Sequence, residues 1–179
     1  MIKTIAIAVV VLLVIAVVVV LGLAAMKPDT FRVQRAMAIK APPEKIFALI
    51  NDFHTWGQWS PWEKKDSAMK RAFSGAPSGK GAAYAWEGDN NVGQGSMEIV
   101  ESAPPSKIAI KLDFVRPFEA HNRVVFTLEP KGDATNVSWD MQGPTPFLAK
   151  IVHVFLDMDK MVGNDFETGL ANLKAASEK

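Results

Sequence analysis

The stretch FRVQRAMAIKAPPEKIFALINDFHTWGQWSPW, Phe31 to Trp62, decides the fold. It opens with Val33, Arg35, Met37 and Ile39 alternating with Arg32, Gln34 and Ala36, the period of a strand over Phe31 to Lys40. Ala41-Pro42-Pro43-Glu44 follows, and prolines suit a helix's first turn because the N–H they lack has no partner there. Ile46, Phe47, Leu49 and Ile50 then recur at helical spacing as far as Asn51-Asp52. Trp56-Gly-Gln-Trp59-Ser-Pro-Trp62 reads as a packed connector.

Downstream, Lys70–Ser74, Gly81–Glu87, Gly93–Glu101, Lys107–Phe114, Glu119–Glu129 and Thr135–Met141 are strand-like, with Gly, Pro, Asp or Asn between most of them. Runs this close leave no room for crossover helices, so the sheet is expected to be antiparallel. The period then changes. Phe147, Ile151, Val154, Phe155, Met158, Val162, Phe166, Leu170 and Leu173 follow steps of three and four, with Pro144 and Pro146 at the entry. This predicts one long amphipathic helix whose apolar partner is the curved sheet.

Upstream, Ile5 to Met26 is an uninterrupted apolar run of 22 residues, roughly 33 Å as a helix and enough to cross a bilayer core. Secretory signals carry a shorter apolar region, about 7–15 residues. Gly22-Leu23-Ala24 would serve as a cleavage site, but the length favours an uncleaved single-pass anchor. The expected division is therefore 1–30 as anchor and short linker and 31–179 as one domain. Lys27 to Thr30 is the whole linker, about 14 Å at full extension, which holds the domain against the lipid surface. Charge does not assign the side. Lys27, Arg32, Arg35 and Lys40 after the span favour the cytoplasm by the positive-inside rule, yet whole domains translocate regardless of charge.

Setting Lys3 aside, 19 basic residues face 19 acidic ones, so the domain has no basic field for nucleic acid. The chain has no cysteine, which excludes disulfides, thiolate metal sites and a Cys nucleophile.

The segment Val33-x-Arg35-x-x-x-Ile39-x-Ala41-Pro42-x-x-x-Ile46-Phe47-x-x-Ile50-x-Asp52, followed by Trp56 and Trp59-x-x-Trp62, resembles the opening of bacterial polyketide-cyclase-like proteins. Met158 to Leu173 is similar to the end of their C-terminal helix. The likeness is to the SRPBCC (START-like, polyketide cyclase/dehydrase, helix-grip) superfamily, and it covers residues 31 to 175. It implies an α+β helix-grip fold: about seven curved antiparallel strands around a long C-terminal helix, with two short helices after the first strand. It also implies a hydrophobic ligand held between sheet and helix, and an enzyme in only some members. The apolar segment sets this chain apart from soluble members and argues against a purely cytosolic carrier.

Strand parity then selects the inward residues. They include Tyr84, Trp86, Met97, Ile99, Ile110, Leu112, Phe114, Val124, Phe126, Leu128, Val137, Trp139 and Met141, and on the same parity Asn122. Glu98, Lys111, His121, Arg123 and Asp140 point outward. An apolar interior with one amide and one phenol suits a hydrophobic ligand better than acid–base chemistry. The expected ligand-binding set is Tyr84, Trp86, Leu112, Phe114, Asn122, Phe126, Trp139, Phe155 and Met158. No cofactor and no metal are expected. The expected function is membrane-anchored binding of a hydrophobic small molecule or lipid. The alternatives are a cyclase- or dehydratase-type enzyme acting through Tyr84, Asn122 or Glu98, and a solid-core interaction domain.

Other motifs fall away. Gly75-Ala-Pro-Ser-Gly79-Lys80-Gly81 is one residue short of a phosphate loop and has Gly81 where Ser or Thr is required, so it reads as a hairpin turn. His153 and Asp157, at i and i+4, make a solvated pair rather than a metal site. Asp157-Met-Asp159 lacks the ligands of a calcium loop. Ser60 and Ser138 have no triad context.

Overall fold

A computed structural model describes residues 2–179. Helix α1 spans Ile2–Ala25 and passes through a short turn into β1, Thr30–Ile39. Next come α2, Pro43–Ile50, and two 3-10 turns, Phe53–Gln58 and Pro61–Lys64. The strands β2 (Lys70–Gly75), β3 (Ala82–Glu87), β4 (Gln94–Ala103), β5 (Lys107–Arg116), β6 (Ala120–Lys131) and β7 (Ala134–Pro144) follow, then α3 (Phe147–Phe155) and α4 (Met158–Ser177). All seven strands form one antiparallel sheet in the order β1-β7-β6-β5-β4-β3-β2.

The expected α+β helix-grip architecture is present, with one correction. The short helices after β1 are α2 and the 3-10 turns of the tryptophan-rich stretch, which bury Trp56 and Trp59. The C-terminal helix is not continuous. Leu156 is extended, and the Asp157 carboxylate accepts the Lys160 N–H at 3.0 Å as the N-cap of α4. An Asp side chain competes with the helical backbone for such donors, so it starts a helix more readily than it continues one. His153 and Asp157 therefore share no helical face.

The inward face of α4 follows the helical period through Phe166, Gly169, Leu170 and Leu173, all buried. Two glycines let the sheet approach closely. A Cβ on Gly169 would meet the Trp139 ring, and one on Gly163 would meet the Arg35 guanidinium. Arg35 sits on the inner face of β1 and donates to Glu167 at 2.7 Å and to Asp159 at 3.0 Å, clamping the first turns of α4 to the sheet. These two carboxylates raise its pKa, so it stays charged throughout.

At the other end of the chain, α1 is long and apolar enough to cross a membrane. It packs against α3. Asp29, between them, is paired with Lys150 of α3, and its carbonyl accepts the Thr145 N–H at 2.7 Å. That pairing holds the Asp29 carboxyl below its ordinary pKa.

The pairing register puts the start of β1 at one end of the sheet. Thr30 faces Pro144, Ala120 faces Phe114, Gln94 faces Arg116 and Glu87 faces Gln94. The β3–β4 and β5–β6 hairpins thus lie at the same end as α1.

Candidate functional site

Between the sheet and α4 lies a cavity of about 380 Å³. Its floor is built by parity. Tyr84 and Trp86 of β3, Met97 of β4, Ile110, Leu112 and Phe114 of β5, Val124 of β6, and Trp139 and Met141 of β7 all project inward. Alternating residues of neighbouring strands share one face, so the apolar rows seen in the sequence become one wall. Val162 and Phe166 of α4 form the roof, and Trp56 and Trp62 form one side. Phe166 stacks on Trp139 at 4.2 Å between ring centres, while Trp62 meets Trp139 edge-on at 5.7 Å. Asn90, Asn91, Arg116, Pro117, Met161 and Lys65, which pairs with Asp165 at 2.7 Å, are the exposed members of the lining.

Of the expected site residues, Tyr84, Trp86, Leu112, Phe114 and Trp139 line this cavity. Phe126 and Asn122 are inward-facing and buried but lie outside its lining. Phe126 is taken up by the rings of Trp56, Trp59 and Trp139. Asn122 sits over Gly143, where a Cβ would collide with its Oδ1, near the Phe31 ring, and that oxygen has no partner. Phe155 and Met158 are corrections. Phe155 ends α3 and is 70% exposed, and Met158 begins α4 outside the lining. The break at Asp157 lets α3 pack on α1, which leaves Phe155 exposed, while Met158 stands in the first turn of α4 ahead of Met161, Val162 and Phe166, which line the cavity. Glu98 is exposed on the outer face opposite Lys111, which removes it as an interior actor.

Glu63 belongs to the site although the sequence Glu63-Lys64-Lys65 has the character of solvated surface. It follows Trp62 in the second 3-10 turn, lines the cavity, and accepts the Tyr84 hydroxyl at 2.6 Å. Its other oxygen accepts from Arg71 Nε at 2.7 Å. Burial pushes the Tyr84 phenol up, and the hydrogen bond to Glu63 adds to the rise, so the phenol stays protonated near neutral pH. The same carboxylate raises the pKa of Arg71. Glu63 is 8 residues from Arg71 and 21 from Tyr84 and lies on a different element from either, so no local motif announces the three together. The Tyr84 proton is given to Glu63 and both carboxylate oxygens are engaged, so the phenol oxygen is left only as an acceptor.

A second, more open hollow of about 280 Å³ lies beside the β2–β3 hairpin, lined by Phe53, His54 and Phe73 among others. The ring of His54 stacks on Phe73 at 4.2 Å. The turn itself is a hairpin connection, in which Ala76 N–H donates to the Gly81 carbonyl at 3.0 Å. Among the described residues no cluster of His, Cys, Asp or Glu could hold a metal ion.

A family model described as "polyketide cyclase / dehydrase and lipid transport" matches residues 30–178. No curated protein matches the chain in sequence. Similar solved structures include protein CV1439 from Chromobacterium violaceum, with 16% identity, TM-score 0.59, and coverage of 86% of this chain and 99% of that one. Protein Mll3558 from Rhizobium loti has 15% identity and TM-score 0.61, covering 82% and 96%. Major latex-like protein 151 from Panax ginseng has 12% identity and TM-score 0.60, covering 84% and 99%. At these identities the likeness establishes the fold.

Proposed function

We propose that this chain, which belongs to the polyketide cyclase / dehydrase and lipid transport family, binds a hydrophobic small molecule or lipid while anchored in a membrane by α1. The observation that carries the reading is the cavity of about 380 Å³, walled by apolar and aromatic side chains with a single phenol–carboxylate pair inside. Ligand pockets are apolar with a few placed polar groups and span about 300–1,000 Å³. This one lies near the lower limit, which favours a single-chain amphiphile or a compact ring system over a two-chain phospholipid. In this reading the Tyr84 oxygen, its own proton given to Glu63, accepts from a hydroxyl at the ligand's polar end.

Trp56, Trp62, Trp86 and Trp139 all line the cavity, so the ligand can be read through their fluorescence. In a mild detergent, a fatty acid brominated on its chain should quench the full chain's tryptophan emission saturably, at a single equivalent. Quenching that rises linearly without saturation would contradict a binding cavity. For the anchor, the full chain should stay in the membrane pellet after carbonate washing. Recovery of a mature chain beginning at Ala25 would remove α1 from the working protein.

A cyclase- or dehydratase-type reaction is the second reading, favoured by the Arg71–Glu63–Tyr84 hydrogen-bonded chain. Catalysis would need one of these groups to move a proton. The enzyme reading requires turnover that Tyr84→Phe abolishes while ligand binding survives.

A further inference from the structure

Helix α3 has its polarity reversed with respect to water. Its one buried residue is Lys150, whereas Phe147, Leu148, Val152 and Phe155 are exposed, Leu148 and Phe155 at 70%. A helix on a water-soluble surface places its apolar stripe on the core and its charges outside. α3 does the opposite, and its only charged residue is tied down to Asp29. Such a helix fits a non-aqueous neighbour.

The neighbour follows from the chain's path. The two residues of α1 that lose exposure among those described, Val20 and Ala24, lie one turn apart at its C-terminal end, and α1 packs on α3. At 1.5 Å per residue α1 is about 36 Å long, so its last turns leave a hydrocarbon core about 30 Å thick. α3 therefore lies at the depth of the headgroups. The β5–β6 hairpin lies at the same end of the sheet and carries Val115 and Phe118 exposed, Phe118 at 70%. Most of the exposed members of the cavity lining are at this end too: Arg116 and Pro117 of that hairpin, Asn90 and Asn91 of the β3–β4 hairpin, and Met161 of α4. The reversed helix, and a hairpin tip that is both apolar and part of the cavity's exposed rim, lie at the end of the sheet where α1 joins the domain.

We propose that α3 and the β5–β6 tip are embedded in the headgroup layer of the leaflet from which α1 emerges, so that the cavity opens onto that leaflet and takes its ligand directly from it. This rests on reading α1 as an anchor and the cavity as a binding site. Interfacial helices bury their apolar face at the headgroup boundary in the same way. The other candidate for the face, a second copy of this chain, is an outcome of the test.

The chain has no cysteine, so single Cys variants can be labelled without background. Labels at Leu148→Cys, Phe118→Cys, Val14→Cys and Ser106→Cys are compared in the full chain. Ser106 lies in the β4–β5 turn, at the far end of the sheet. The full chain is reconstituted in vesicles of phosphatidylcholine and phosphatidylglycerol doped with phosphatidylcholine brominated on its acyl chains. The labels at Leu148 and Phe118 should be quenched several-fold more than that at Ser106. Quenching at Leu148 and Phe118 no greater than at Ser106, with Val14 quenched, overturns the proposal and leaves the anchor standing. An unquenched Val14 removes the anchor and the proposal together. Crosslinking of Leu148→Cys between chains, without lipid quenching, assigns the face to a second copy.

A second arm tests delivery. Tryptophan quenching by a brominated fatty acid is followed after mixing with donor vesicles, in wild type and in a Leu148→Glu/Phe155→Glu variant. The variant should load several-fold more slowly from vesicles yet reach the wild-type end point in detergent micelles. Equal rates from vesicles overturn the proposal. Absent loading of wild type in micelles removes the cavity reading instead, and the leaflet-delivery claim with it.

Discussion

Replacing Phe166 by alanine removes a ring that is 1% exposed, stacked on Trp139 at 4.2 Å and met edge-on by Trp62 at 6.2 Å. Burying a phenylalanine side chain contributes about 1.5–3 kcal/mol, and an aromatic pair adds about 0.5–1.5 kcal/mol beyond area. The void left behind, which opens into the cavity that Phe166 roofs, adds to the loss. The expected destabilisation is about 3–5 kcal/mol, the range for Phe→Ala in a core. Phe155→Ala is the internal control. It lies on the same apolar period in the sequence but is 70% exposed, so in detergent it should change stability by no more than about 0.5 kcal/mol. Urea titration of the full chain in one detergent, read by tryptophan fluorescence and far-ultraviolet circular dichroism, gives both values. A Phe166→Ala variant within about 0.5 kcal/mol of wild type would refute α4 as the gripped helix. A Phe155→Ala loss as large as that of Phe166→Ala would refute the break at Asp157.

Three further outcomes follow from the site and its surroundings. Tyr84 is the chain's only tyrosine, so its ionisation is read from tyrosinate absorbance without overlap. It should occur above the ordinary value of about 10. The stability this raised pKa contributes is complete below that value and is lost as pH rises through the folded-state pKa. Glu63→Gln should move the titration down, and an unperturbed titration would break the Glu63–Tyr84 assignment. By NMR, His121 should also titrate above His153. Asp113 raises His121, whose stabilising contribution is lost as pH rises through its folded-state pKa, while burial and Lys27 lower His153, which costs stability as pH falls below about 6.5. A His153 resonance titrating at or above His121 would contradict the packing of α3. Finally, Asn122→Leu replaces a buried amide whose Oδ1 is unpaired and which lies outside the cavity. It should leave saturable quenching by the brominated fatty acid unchanged and be neutral or stabilising by up to about 1 kcal/mol, and weakened binding would return Asn122 to the site.

Much of the fold was legible because its signals are local. The alternation from Phe31 to Ile39, the Pro42-Pro43 helix start and the closely spaced strand runs each declare themselves within about ten residues. Parity then placed Tyr84, Trp86, Leu112, Phe114 and Trp139 on the cavity wall, since a strand's period of two allows no drift. The helix was harder. A stripe running through Phe155 and Phe166 says that apolar neighbours exist, not that both residues share one. The break between them rests on a single capping aspartate. Glu63 was illegible for a different reason. An acidic residue beside two lysines in a short turn looks like solvated surface, and only the tertiary approach of Tyr84 turns it inward. Likewise Arg35 stands on the core parity of β1, but the carboxylates that justify it are on α4, more than a hundred residues away.

The most direct measurement is native mass spectrometry of the full chain released from detergent, compared with a Met97→Trp variant that fills the cavity from β4. Wild type should carry a co-purified hydrophobic molecule of defined mass, at no more than one per chain, and the variant should emerge without it while keeping its fold by circular dichroism. Wild type emerging bare after extraction from the cells that made it, and remaining bare after incubation with single-chain amphiphiles, would contradict a ligand-binding cavity.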